Sequence, residues 1–403
     1  MPTPAGTPSG LRAVFARPGY RCLWVARTAS AWGDALATVA LSLLVLDRTG
    51  SGLGVAGVVA AEIAPVLLLA PVAGVVVDRL SPVRVMIAAD LVRVALAALL
   101  SLVSGSVPAI YATAFGLSAA AVFFNPAAGS VLPALVDEKE LVAANSGIWT
   151  AAVLSQIVLG PAAGALVLAY GYGPAFWINA ASFAASALVL TRLRLPACPP
   201  TASPGMSWWR QSREGLALLG SHRLLRALAA GQLLAALSAG ATSALLVVLV
   251  HDHLGLDARG YGLALAAIGV GAAAGPLLLT RIRNPRRPAF VFGPYLLRAA
   301  VDAVLALVRV PSLALAALVG YGMGTSTGAV TFNSLLQAEA PPAARGRVFA
   351  AFDLLWQLGR LASLALGGLL ADTAGIAAVY AAGAALLAAA AAVGWNALRH
   401  HQR

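Results

Sequence analysis

Gly74-Val75-Val76-Val77-Asp78-Arg79-Leu80-Ser81-Pro82-Val83-Arg84 is the stretch whose reading decides the fold. It is short, basic on balance, and carries an acid in its middle. It joins one apolar run, over about 52–77, to another over about 83–104. Charge at the centre of a bilayer costs several kcal/mol, so a polar hinge between two bilayer-length runs belongs at a membrane surface. Gly74 permits close helix approach, and Pro82 suits the first turn of the next helix.

The rest of the chain repeats this pattern. Of its 403 residues, 60% are hydrophobic and only 10% are charged. Soluble domains carry about 25% charge. The mean hydropathy is +0.85. These values predict an all-α polytopic membrane protein, and no soluble core explains them. Twelve spans are expected, at about 21–46, 53–77, 83–104, 109–129, 144–169, 175–193, 224–250, 258–280, 289–308, 311–333, 347–371 and 375–398. The first run is too long for a signal peptide, so it is kept as a span. The expected organisation is a tail (1–20), a six-helix bundle (21–194), a linker (195–222), a second bundle (223–398) and a short tail (399–403). Trp208-Trp209-Arg210 opens an amphipathic helix within the linker.

The net charge of +12 invites a nucleic-acid reading. The placement of the arginines rejects it, because they fall in short loops between apolar runs. Of the 27 Lys and Arg, three lie in loops on one side (Arg48, Arg259, Arg309) and four within spans (Arg27, Arg93, Arg298, Arg360). The others lie on the side of the two termini, which places both termini in the cytoplasm of a cell with the chain in its plasma membrane. Cys22 and Cys198 fall on that side too, so no disulfide is expected.

The two halves resemble each other. Asp90-Leu91-Val92-Arg93 matches Tyr295-Leu296-Leu297-Arg298, and Phe124-Asn125 matches Phe332-Asn333. Pro133 matches Pro341, and Gly74 matches Gly275. Two six-helix halves in the same orientation form a parallel repeat, with a cavity between them near the midplane.

With these residues in place, the chain resembles the major facilitator superfamily. The hinge is similar to that family's loop between the second and third spans at Gly74, Asp78, Arg79 and Arg84. It departs at Ser81-Pro82-Val83, where the family usually has a glycine and a second basic residue. Gly160-Pro161-Ala162-Ala163-Gly164 resembles the Gly-Pro motif of the proton-antiporter branch. Leu23-Trp24, Gly33-Asp34 and Asp90–Arg93 resemble the exporter group that includes siderophore and macrolide efflux proteins. The resemblance implies a proton-driven exporter of small amphipathic organic molecules that works by alternating access.

Asp34, near the middle of span one, is the first candidate for a proton carrier, since an ionisable group at that depth is expensive. Its structural alternative is an ion pair with Arg27, seven residues earlier on the same helical face. Glu62 in span two is the second candidate; its alternative is an inert group near the outer mouth. Asp90 and Arg93, three apart, can neutralise each other, and with Gly74, Asp78, Arg79 and Arg84 they form the candidate gating hinge. Arg298 and Asp302, four apart, are expected to pair in the same way. Asp353 and Arg360 share a face and either pair or act separately, Arg360 towards an anionic substrate. Gly160, Pro161 and Gly164 are expected to bend span five and permit close packing. Asn125, Trp149, Gln156, Trp356, Gln357 and Arg360 are the candidate cavity lining, with Asn333 as Asn125's counterpart, because aromatic and amide groups suit an amphipathic organic substrate. Each alone is as readily a packing residue.

His251-Asp252-His253 has the look of a metal pair but lacks a third ligand, so no metal or other cofactor is expected. The sole lysine is Lys139, so no phosphate-binding Gly-Lys-Ser/Thr motif exists. No catalytic Ser/His/Asp constellation is evident, and the chain reads as no enzyme. The expected partners are protons, a small organic solute and lipid, with no nucleic acid, and the chain is expected to act as a monomer. Two other functions fit the same helices: a proton symporter for uptake, and a non-transporting receptor or lipid-handling protein. Asp78 is expected to cap the cytoplasmic start of span eleven, around 346–350, with Arg84 holding it in place.

Overall fold

A computed structural model describes residues 11–137, 140–194, 208–221, 223–279, 288–340 and 345–401. They form α1 (Leu11–Phe15), α2 (Pro18–Thr49), α3 (Gly52–Arg79), α4 (Pro82–Leu102), α5 (Val107–Leu135), α6 (Leu141–Tyr170) and α7 (Gly173–Leu190). The second part holds α8 (Trp208–Ser221), α9 (Arg223–Ala244), α10 (Leu246–Val248), α11 (Ala258–Leu279), α12 (Pro288–Leu307), α13 (Pro311–Glu339), α14 (Arg345–Ala374) and α15 (Ile376–His401). Among the described residues there is no strand. Twelve helices, α2–α7, α9 and α11–α15, are long and apolar enough to cross a membrane. Large apolar side chains such as Leu68, Val158, Leu188 and Leu366 stay exposed on them, as a lipid-facing surface requires.

Local chemistry sets the helix ends. Proline occupies the first turn of α2, α4, α5, α7 and α13, where a missing N–H costs nothing. Ser51 caps α3 by accepting from the Gly54 amide at 3.2 Å. Gly50 (φ 56°) and Gly375 (φ 83°) close two tight turns in the left-handed region that favours glycine.

The hinge is tighter than its sequence suggests. Helix α3 runs through Gly74 to Arg79, only Leu80 and Ser81 are non-helical, and Pro82 opens α4. Of the candidate gating residues, Asp90 and Arg93 lie 8 and 11 residues into α4, so about 12–17 Å along the helix from the turn, and both are buried.

Span seven differs as well. The apolar run predicts one helix to about 250, but α9 stops at Ala244 and a π turn follows at Leu249–His253. One turn before the break, Ser363 of α14 enters the backbone ladder: its Oγ accepts from the Ala241 amide and donates to the Leu237 carbonyl. A side chain inserted into the ladder is a recognised cause of a helix break. The linker helix α8 is present. It docks on α14, with Leu219 buried and Glu214 paired to Arg347 at 3.3 Å.

The two ends of the bundle are unlike. The end where α2 begins and α15 finishes is termed the terminal end, and the opposite one the far end. At the far end one continuous apolar core draws from both halves, including Leu44, Val55, Ala163, Leu246, Ala264, Leu318 and Tyr380. At the terminal end the core splits. One cluster, with Tyr20, Met86, Phe124 and Leu190, is made only by α1, α2 and the helices of the first half. Another, with Leu225, Phe292, Leu336 and Phe352, belongs wholly to α8 and the second half.

Candidate functional site

Two helix seams and one acid hold the far end shut. In the first seam, α6 meets α11 so closely that an added Cβ at Gly164 would lie 2.1 Å from the Ala258 carbonyl oxygen. At Gly160 it would lie 2.8 Å from the Gly262 carbonyl oxygen. Gly160 and Gly164 therefore serve contact between the halves, and α6 continues through Pro161 to Tyr170. In the second seam, α3 meets α14 at Gly52 and Gly368. There Asp372, at the end of α14, receives the start of α3. Ser51 Oγ donates to it at 2.6 Å, the Gly52 amide at 2.6 Å and the Leu53 amide at 3.2 Å. A carboxylate at a helix start meets both the free amides and the helix dipole.

Mid-depth polar groups form a strip between the halves. Asp34 lies midway along α2 with an exposed side chain. Asn179, buried on α7, stands beside its carboxyl, and the charges of Arg93 and Asp90 act on it from α4. Arg27 makes no ion pair with Asp34 among the described residues. Glu62 on α3 faces Asp34 within its own half and Arg360 of α14 across the interface. Ser118 donates to the Glu62 carbonyl, joining α5 to α3. Arg360 faces Tyr321 as well as Glu62, and Asp353, paired with nothing among the described residues, points elsewhere.

Asp353 borders an open-sided cavity of about 410 Å³ in the terminal half of the second bundle. Gln232, Tyr295, Arg298, Asn333, Phe352 and Trp356 help to line it. Of the candidate lining residues, Trp356 and Asn333 border this cavity, which lies within the second bundle and not between the halves. Gln357 turns away, with Oε1 buried and without a partner. Asn125, Trp149 and Gln156 are exposed on α5 and α6 and do not border this cavity.

The repeated arginines differ. Arg93 Nη2 donates to Asp90 Oδ1, and Ser186 of α7 donates to the other oxygen at 2.7 Å. The rings of Phe124 and Phe183 each lie 4.3 Å from the guanidinium carbon. Arg298 does not form the expected bond with Asp302. It lies 3.6 Å over the Tyr321 ring and donates through Nη1 to Thr325 Oγ1 at 2.7 Å. Its Nε and Nη2 and both Asp302 oxygens are buried without a hydrogen bond.

At the far end, His251 Nδ1 sits 2.7 Å from Asp252 Oδ1. No group of three or more potential metal ligands exists among the described residues. The side chain of Asp78 and residues 341–344 lie outside the described residues, as does Cys198; Arg79 and Arg84 are exposed beside the turn. Asp372, Asn179, Tyr321 and Gln232 also belong to these sites, though the sequence does not single them out. None stands in a motif, and only Asp372, an acid closing the eleventh apolar run, carried any signal.

Twelve spans in two like-oriented halves, with charged groups at mid-depth between them, define a transporter of the major facilitator type. The chain belongs to the family described as transmembrane secretion effector, whose profile matches residues 9–402. It is 31% identical over 381 residues to the multidrug efflux pump Tap of Mycobacterium tuberculosis (strain ATCC 25618 / H37Rv), covering 91% of this chain and 90% of that one. To Tap of Mycolicibacterium fortuitum it is 29% identical over 383 residues, covering 89% and 90%. The nucleoside transporter NupG shares the fold, with a TM-score of 0.75 at 14% identity, covering 94% of this chain and 99% of that one. A bacterial homolog of the human lysosomal transporter Spinster, in an inward-facing and unoccupied conformation, gives 0.74 at 14% identity, covering 98% of each. The chain is a multi-pass membrane transporter of the drug-exporter group, and not an enzyme.

Proposed function

We propose that the protein exports small amphipathic organic molecules in exchange for protons, by rocking its two halves about the mid-depth strip. The observation that carries this reading is the arrangement of Asp34, Glu62 and Arg360. Glu62 faces Asp34 within its own half and Arg360 of the other half across the plane between them. A proton on Glu62 removes the charge that attracts Arg360, so proton binding changes the energy of the interface itself. Asp34, with its exposed side chain, exchanges its proton with whichever side the halves open to.

The positive-inside bias places the terminal end in the cytoplasm of the cell, with the chain in the plasma membrane. The split core then corresponds to an inward-open state sealed outside by the glycine seams and Asp372. The cavity at Trp356, Phe352, Tyr295 and Asn333 receives the substrate from the cytoplasm. Its aromatic and amide lining suits amphipathic molecules, in keeping with relatives that are multidrug efflux pumps. In the outward-open state the same logic runs in reverse at the inner face, where Asp78, held by Arg84, receives the start of α14. The chain works as a monomer, since each half supplies what the other needs.

The test is proton-coupled movement of ethidium in proteoliposomes. An imposed pH gradient is expected to drive ethidium against the direction of proton flow. Asp34→Asn and Glu62→Gln are each expected to abolish the coupling. Ethidium accumulating on the side to which protons flow overturns export in favour of symport. Binding without movement favours a receptor.

A further inference from the structure

The deepest unexplained chemistry lies one helical turn beyond the cavity. Asp302 on α12 has no solvent exposure, and neither carboxyl oxygen has a hydrogen bond. An ionised carboxylate in that position costs several kcal/mol unless it is paired. The charged and titratable groups around it are few. Arg298 faces it from its own helix, Tyr321 from α13 and Tyr380 from α15. Helix α9 offers hydroxyls only: Ser238 Oγ faces Asp302 without hydrogen-bond geometry, and Thr242 donates to its own helix. Tyr380 is committed to the Thr242 carbonyl at 2.7 Å.

Arg298 is thus the one cation facing Asp302 among the described residues, and it is turned to the cavity wall. It donates to Thr325, stacks on Tyr321, and keeps Nε and Nη2 unused. Two buried groups four residues apart on one helix are thus each left with unmet hydrogen-bonding capacity. Gly383 of α15 packs closely against the carboxyl, where an added Cβ would lie 3.3 Å from Oδ2.

We propose that Asp302 binds and releases a proton during transport, and that its ionisation decides which way Arg298 turns. With the proton bound, the carboxyl is neutral and Arg298 rests on Tyr321 and Thr325, bordering the cavity as observed. When the proton leaves, the carboxylate draws in Nε and Nη2, and Arg298 gives up its contacts at the cavity wall. A proton event in the second half is thereby coupled to the shape and charge of the cavity. The coupling to transport rests on the export reading; the proton site itself does not.

An infrared titration of the full-length protein in detergent tests the site without any transported solute. Its readout is the carbonyl stretch of protonated carboxyls, lost as pH rises. The background is Asp34→Asn/Glu62→Gln, so that the other two acids do not contribute. In that background a titrating carbonyl signal is expected to remain. Asp302→Asn is expected to remove it, and Asp302→Glu to keep it at a shifted frequency. A signal unchanged by Asp302→Asn overturns the proposal. If Asp302→Asn does not yield folded protein, Asp302→Glu decides alone: an unshifted band overturns the proposal too. Loss of ethidium exchange with this titration intact would instead count against the export reading only.

Discussion

Arg93 and Arg298 occupy matching places in the two halves, yet one is locked and the other is poised. In the first half, Arg93 closes on Asp90, Ser186 caps the second oxygen, and two phenylalanine rings flank the guanidinium. In the second half a single tyrosine ring and one threonine hold Arg298, and the acid stands apart. The order of the acid decides this. Asp90 precedes its arginine by three residues, whereas Asp302 follows its arginine by four. Helical side chains lean towards the N-terminus, so an arginine reaches back to an earlier acid more readily than forward to a later one. A repeated residue therefore became a strut in one half and a movable group in the other.

The largest break in this comparison should come from removing the arginines. Arg93→Met leaves Asp90 buried without its cation and is expected to cost about 3–5 kcal/mol. Arg298→Met is expected to cost clearly less, because Asp302 makes no bond to lose. Thermal unfolding in detergent measures both, and equal losses would show that the two sites are energetically alike.

The halves are also unequal at the far end, where the second half supplies the acid and the first supplies the amides. Asp372→Asn keeps the shape but removes the charge, and is expected to weaken the closed far end by about 0.5–2 kcal/mol. Labelling of a cysteine placed at Ala371, which packs against Gly52 beside the Asp372 contact, should rise in that variant. Unchanged labelling would leave the glycine seams as the whole seal.

The smallest expected difference lies in the supporting hydroxyls. Ser186→Ala removes a bond to a buried carboxyl and is expected to cost about 1 kcal/mol. Thr325→Val frees Arg298 at the cavity wall, with a stability loss no larger than that. It should instead change ethidium affinity, which Ser186→Ala should leave alone.

Much of the fold was legible in the chain because hydropathy is a local property. Each span had to be long enough to cross the bilayer, and every turn had to hold the residues that a membrane surface tolerates. Gly50, Pro82, Pro174 and Gly375 punctuate the helices where the sequence alone would place them. The parallel repeat and the family were legible for the same reason, since matched motifs such as Phe124-Asn125 and Phe332-Asn333 survive in the string of residues. Asp34, Glu62 and Arg360 stood out because charge is costly in a membrane, wherever the helix points.

Which groups meet was another matter. Ser51 and Asp372 are 321 residues apart, and no periodicity predicts their bond. Spacing made Asp90–Arg93 and Arg298–Asp302 look alike, but rotamer direction and neighbours from other helices separated them. Close packing at Gly160 and Gly164 is expected from the sequence, but only the tertiary structure shows that their partner is α11 of the other half. The split of the core into one shared and two separate clusters depends on how whole bundles tilt. The sequence by itself determined the spans, the repeat and the family. Only the tertiary structure decided which charges are paired, which are left open, and where the two halves can part.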